Sequence, residues 1–200
     1  RLFKCRMTIL GDREQTMDGE QQDVLTFLPK IFGKDIRRIV MNKSYRNTIE
    51  IASYANQLAG ITEVELFERH GKPVEEQTFS DRKAALEAVL EKLRLEEFET
   101  AAVIEMTQER AKKSAAYLKE RMEELGMDTE NRFSVVDRDS THFKKGLTVT
   151  TFYLAKGLEF DQVFGIFEED RESGLQCQAK YITATRALHE LHMYMTENSK

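Results

Sequence analysis

The sequence predicts an α/β fold in which a parallel sheet carries helices on both faces, and three observations point to it. From Asp35 to the end, strand-like and helix-like stretches alternate, the order that right-handed βαβ crossovers produce. Ala101–Met106 is, Glu105 apart, a continuous apolar run, as expected of a strand buried on both faces. Thr148–Phe160, TVTTFYLAKGLEF, is a β-branched run entering a sharp charged elbow at Ala155–Phe160. Such an elbow is expected to set amides and polar side chains at the carboxyl end of a strand, where α/β folds keep ligand sites. With 200 residues, 40% apolar content and two prolines, the chain can bury a proper core and is not expected to be disordered.

Taken in order, Arg6–Leu10 reads as a short strand that Gly11-Asp12 ends in a turn, presenting Asp12 and Gln15 at its carboxyl edge. Asp23–Phe32 is a passage to the next unit, and Asp35–Met41 is a strand. Asn47, with Glu50 three residues on, has the spacing of a helix cap; Ile51, Ala55 and Leu58 line one face until Gly60 stops the helix. Glu63–Arg69 and Val74–Phe79 alternate around His70-Gly71-Lys72-Pro73, which predicts a β-hairpin or a pair of edge strands. Ser80 is the expected cap of the next helix, whose Leu86, Val89, Leu90 and Leu93 recur at helical spacing.

After the strand Ala101–Met106, a helix following Thr107 puts Ala111, Ala115, Leu118, Met122 and Leu125 on one stripe before Gly126. Its charged residues, Glu109, Lys112, Lys113, Lys119 and Glu120, form a solvated face. Arg132–Asp137 reads as a strand and Asp139–Lys145 as a polar loop leading into Thr148–Phe160. Tyr181–Ala187 lies on a helix ending near Leu188, followed by a strand over Leu191–Met195.

Composition narrows the function. Thirty basic against 35 acidic residues give a net charge of −5, which argues against gripping nucleic acid through a broadly positive surface and leaves any such contact local. Cys5 and Cys177 are far apart, no Cys-x-x-Cys occurs and the four histidines form no ligand cluster, so a reducing compartment and no structural metal are expected. His189-x-x-His192 reads as two solvated residues. No signal peptide or membrane-length apolar run is visible, so a cytoplasmic location without a membrane partner is expected. Arg1 stands first without a methionine and directly inside an apparent element, so a preceding segment is expected. No Gly-x-x-x-x-Gly-Lys-Ser/Thr occurs; Phe32-Gly33-Lys34-Asp35 lacks the preceding glycine. The chain alone is therefore not a complete nucleotidase.

Four segments in order, GDREQ at Gly11–Gln15, NKSYRN at Asn42–Asn47, AKGLEF at Ala155–Phe160 and YITATRALHEL at Tyr181–Leu191, resemble the motifs that superfamily 1 helicases of the UvrD/Rep kind carry after their Walker B motif. The resemblance covers nearly all of the chain. It implies a RecA-like parallel sheet with helices on both faces, the second motor domain of a P-loop NTPase, lacking its own Walker A. Residues 1–32 would then close a first RecA-like domain with motif III and a linker. Residues 33–200 would form the second motor domain with motifs IV, V and VI, without the helical insertion domain of UvrD/Rep enzymes.

By this resemblance, Gln15 of motif III senses the γ-phosphate, although Thr16-Met17-Asp18-Gly19 follows it where the family has an aromatic and Arg-Gly-Ala. In motif IV, Tyr45 stacks on adenine and Arg46 reaches the γ-phosphate, a task suited to the fixed donor fork of a guanidinium. In motif V, Glu159 holds the ribose hydroxyls, Gly157 lets the chain turn close to the nucleotide, and Lys156 orients the loop or faces phosphate. Thr151 and Tyr153 are the implied single-strand contacts, Tyr153 replacing the histidine of the DNA helicases by a ring that can also stack. In motif VI, Arg186 is the implied arginine finger, projecting from its helix across the cleft, and Thr183 and Thr185 support it. The implied cofactor is ATP with Mg2+, the metal held mainly by the amino-terminal domain. The implied partners are the first RecA-like domain of the same protein and single-stranded DNA.

Tyr153–Asp161 together with Thr185–Leu191 resembles most the HelD, DNA helicase IV-like, branch, whose members bind bacterial RNA polymerase and use ATP to release or recycle it. RNA polymerase is thus the alternative partner, and a non-catalytic helicase-fold scaffold is the third alternative. ATPase activity is implied for the full-length protein; this chain alone, with neither Walker motif, is expected to be inactive.

Overall fold

The computed structural model describes residues 8–11, 24–33, 36, 37, 39, 43–62, 65–95, 98–137, 144–169 and 173–197. The chain divides into two compact units, Arg1–Val40 and Met41–Lys200. In the first, the expected passage is a helix, α1 (Val24–Phe32), closed by Gly33, whose amide donates to the Pro29 carbonyl at 3.0 Å. Of the expected strands Arg6–Leu10 and Asp35–Met41, residues 8–10 and residues 36, 37 and 39 are described, and these have no regular structure.

The second unit opens with β1 (Lys43–Ser44), which pairs in parallel with β2 (Glu65–Leu66). Between them α2 (Ile49–Ala59) ends on Gly60 in a left-handed conformation, as its sequence predicts. Then follow β3 (Glu75–Phe79), α3 (Arg82–Leu95), β4 (Thr100–Glu105), α4 (Gln108–Glu124), α5 (Thr129–Arg132) and β5 (Phe133–Val135). The chain finishes with β6 (Gly146–Thr151), β7 (Phe160–Glu168), α6 (Gly174–Ala184) and β8 (Ala187–Thr196). Six of the strands form one sheet in the order β3-β8-β7-β4-β6-β5, parallel throughout.

Both faces are covered, as expected. One core joins the sheet to α2 and α6 through Ile51, Phe152, Ala155, Phe160, Phe167 and Ile182. The other joins it to α3 and α4 through Leu86, Leu90, Leu118, Phe164 and Tyr194. Gly165 in β7 has a packing reason: a Cβ there would lie 2.6 Å from Phe167 and 2.9 Å from Thr183.

Of the two expected alternatives, a hairpin or a pair of edge strands, the structure has the second. β2 pairs with β1, and β3 is instead the edge strand of the main sheet, parallel to β8. The intervening loop is committed to α2: the Arg69 carbonyl accepts from the Ile49 amide and the Gly71 amide donates to Glu50, both at 2.8 Å. The cap of α3 is Asp81, whose carboxylate accepts from the Ala84 amide at 2.9 Å, rather than Ser80. α4 follows Thr107 as predicted, with Thr107 as its cap, but Leu125 lies past its end and is exposed.

The histidine pair also departs from expectation. Both residues lie on β8, and whereas His189 is exposed, only 3% of His192 reaches solvent. The His192 ring stacks on Phe164 at 4.7 Å, with Nδ1 3.0 Å from Glu75 and Nε2 3.4 Å from the Gln162 amide. Burial holds its pKa below the ordinary 6.5, outweighing the Glu75 carboxylate that pulls it up. The unfolded chain therefore takes the proton first as pH falls, so this contribution to stability is complete above about pH 6.5 and is lost below it. Thermal melts between about pH 5 and 7.5 should show a falling melting temperature on the acid side, and His192→Gln should flatten that slope. An unchanged slope would remove His192 from the explanation.

Candidate functional site

Three loops build the site, and each is shaped by its own local signals. In the loop before α2, Thr48 rather than Asn47 is the cap; its hydroxyl accepts from the Ile51 amide at 3.4 Å. That releases Asn47, whose side-chain amide donates to the Ala187 carbonyl at 2.5 Å. Tyr45 is 62% exposed, its ring 5.5 Å from that of Phe67. Arg46 points to the elbow, its Nε 2.7 Å from a Glu159 carboxylate oxygen.

The elbow begins where β6 stops. The Leu154 and Ala155 amides both donate to the Thr151 carbonyl, at 3.1 and 2.9 Å, and the Leu158 amide donates to Ala155 at 3.0 Å. Gly157 has φ +82°, and a Cβ there would meet nothing within 4 Å. Glycine is thus required by the backbone conformation and not by crowding.

The third loop joins α6 to β8. The helix ends at Ala184 with Thr185 as its cap, so Arg186 stands in the turn and not on a helix reaching Leu188. The reason is the ladder: Ala187 already pairs with Phe160, and the Phe160 amide takes the Arg186 carbonyl at 3.0 Å. The Arg186 side chain is only 2% exposed. Its guanidinium donates to the Leu158 carbonyl at 3.3 Å and to the Thr185 hydroxyl at 3.0 Å. The arginine is folded beneath the elbow and does not project into solvent.

Strand register fixes where these loops lie. Thr151 pairs with Glu105 and Glu105 with Ile166, at the carboxyl ends of their strands, whereas Phe160 opens β7 opposite Ala187. Residues 152–159 therefore run from the carboxyl edge back to the amino edge, packing Phe152 and Ala155 into the core shared with α2 and α6. The elbow was expected at the carboxyl end; its Glu159 lies at the amino edge of β7. There the structure brings together Arg46, Glu159 and Arg186.

Thr151 and Tyr153 stay behind at the opposite edge. The Thr151 side chain is buried and its hydroxyl has no hydrogen-bond partner among the described residues; Tyr153 is half-buried, edge-on to Phe152. Lys156 is half-buried within the elbow, and Gln15 lies outside the described residues. Among the described residues no group of three His, Cys, Asp or Glu could hold a metal ion. Sequence reasoning missed Asn47 as a link, and also Arg69, whose guanidinium donates to the Leu188 carbonyl. In Asn47 the available signal was a second capping residue, Thr48, directly after it.

The parallel six-stranded sheet with helices on both faces is the RecA-like fold of helicase carboxyl-terminal domains. A solved structure that shares it is the C-terminal domain of a possible DNA helicase from Lactobacillus plantarum WCFS1, at 21% identity and a TM-score of 0.58. The match covers 76% of this chain and 88% of that one. No family model matches the sequence, and no curated protein does. Among the described residues, no helix is long and apolar enough to cross a membrane.

Proposed function

We propose that this chain is the second motor domain of an ATP-driven helicase or translocase of the UvrD/Rep superfamily and supplies one wall of its ATP site. The observation that carries this conclusion is the meeting of Arg46, Glu159 and Arg186, from three loops far apart in the chain, at one edge of the sheet. The donor set fits the nucleotide: an exposed ring for the base, a carboxylate for the ribose hydroxyls and two guanidiniums for phosphate. ATP supplies the phosphoryl group to be cleaved. Tyr45 would stack on adenine, Glu159 would accept from the ribose, and Arg46 and Arg186 would neutralise the γ-phosphate, which the resemblance implies Gln15 to sense. Lys156 and Gly157 shape the elbow that presents Glu159. The phosphate-cradling loop and most of the Mg2+ ligands come from the first RecA-like domain of the same protein.

Arg46 and Glu159 hold each other while their side chains stay 48% and 39% exposed. Exposed pairs contribute about 1 kcal/mol or less, so exchanging them for ribose and phosphate is nearly without cost. Arg186 instead has to leave a buried place, which ties its engagement to closure of the two motor domains. Single-stranded DNA is contacted at the other edge through Tyr153, whereas the burial of Thr151 takes that residue out of the contact expected of it. Residues 152–159 connect the two edges directly, a short covalent route by which the nucleotide state reaches the strand.

ATP hydrolysis by the intact protein, alone, with single-stranded DNA and with RNA polymerase, tests this. Arg46→Ala should cut DNA-stimulated hydrolysis at least tenfold while changing folding stability by no more than about 1 kcal/mol; full activity in that variant would sink the proposal. The Tyr153–Asp161 string favours one second function, a HelD-like ATPase that releases RNA polymerase in the cytoplasm. Hydrolysis indifferent to DNA but accompanied by polymerase binding and release would select it, and inactivity in every mixture would leave the scaffold.

A further inference from the structure

We propose that Asn47 is a positioning residue of the nucleotide site, holding the loops that carry Arg46 and Arg186 at a fixed separation; this rests on the nucleotide-site assignment above. Asn47 is 7% exposed and directly follows Arg46. Its amide donates to the carbonyl of Ala187, the residue directly after Arg186, at 2.5 Å. One hydrogen bond thus joins the neighbour of one guanidinium to the neighbour of the other.

The carbonyl needs this donor because of where it stands. β3 pairs with β8 only from His192 onward, so at Ala187 and Leu188 that strand does not cover the edge, and side chains of Asn47 and Arg69 donate to the two carbonyls. On its other side, Asn47 is held by the first turn of α2. Thr48 caps the helix, the Ile49 amide is bonded to Arg69, and Gly71 lies so close that a Cβ there would be 2.5 Å from the Thr48 methyl. The anchor is therefore stiff from both directions.

In front of this joint, both arginine side chains reach the same stretch of the elbow, Arg46 to the Glu159 carboxylate and Arg186 to the Leu158 carbonyl. Two guanidiniums that must meet one phosphate require their backbones to be placed within about half an ångström. An ångström of misplacement costs roughly a hundredfold in rate. A neutral amide suits the joint because only the amide, and not an isosteric carboxylate, donates to a carbonyl.

The test measures ATP turnover and melting temperature in the intact protein for Asn47→Asp, Arg186→Ala and their combination. Asn47→Asp should lower kcat by roughly ten- to a hundredfold with KM changed about twofold or less. The combination should be no slower than Arg186→Ala alone, since the separation of the two guanidiniums no longer matters once one of them is gone. If Asn47→Asp fails to fold, Asn47→Ala removes the donor without setting a charge beside the carbonyl. Wild-type kcat, or a loss that multiplies with that of Arg186→Ala, overturns the positioning role. Full activity of Arg186→Ala would instead show that the nucleotide-site assignment itself has failed.

Discussion

Arg186→Ala in the intact motor is expected to lower kcat for ATP hydrolysis by roughly a thousandfold or more, with a far smaller loss of nucleotide affinity. The reasoning is electrostatic. Negative charge spreads over the γ-phosphoryl oxygens chiefly in the transition state, so a placed guanidinium stabilises that state more than bound ATP. A thousandfold corresponds to about 4 kcal/mol of barrier. Arg186 is also buried, with bonds to the Leu158 carbonyl and the Thr185 hydroxyl, so truncation also removes packing beneath the elbow. Melting curves separate the two effects. Arg186→Lys keeps the charge but not the two-pronged donor geometry, and should recover little of the rate. If kcat and affinity fall together, or if activity simply follows the folded fraction, Arg186 is a structural residue of the elbow and no finger.

The parts of the fold that were legible in the sequence are those with local signals. α3 and α4 carry a helical apolar stripe, α4 begins at a capping threonine, and β4 carries the apolar run Ala101–Ile104. β7 and β8 were harder because they bury polar side chains. Gln162, Glu190 and His192 look like surface residues, yet all three lie inside, bonded to one another and to Glu75, which is 117 positions from His192. No local window holds that partnership. The same limit governs the site. The strings around Glu159 and Arg186 name the residues, but their edge of the sheet follows from β6 and β7 lying on either side of β4, a property of the whole topology. The release of Asn47 likewise depended on which of two adjacent capping residues took the helix.

Arg82→Met should destabilise the domain more than Glu105→Gln, although the two residues form a single ion pair. Glu105 closes β4 with 1% of its surface exposed, accepting from Arg82 and, at 2.5 Å, from the Ser114 hydroxyl. The Arg82 side chain keeps 23% of its surface. Removing the arginine strands a buried carboxylate with only a hydroxyl to meet it, a loss of about 3–5 kcal/mol. Removing the charge of Glu105 leaves a guanidinium that can turn towards water and an amide oxygen that still accepts from it, at about 1–3 kcal/mol. Against a total of roughly 5–15 kcal/mol, the first loss is the one that threatens folding. Replacing both residues with methionine should recover most of it, because an apolar pair of similar volume needs no compensation apart from the Ser114 hydroxyl. Urea unfolding of the single and double variants decides the matter. Equal single losses, or a double variant at their sum, would mean that Glu105 is solvated in solution and that the asymmetry of burial has no energetic consequence.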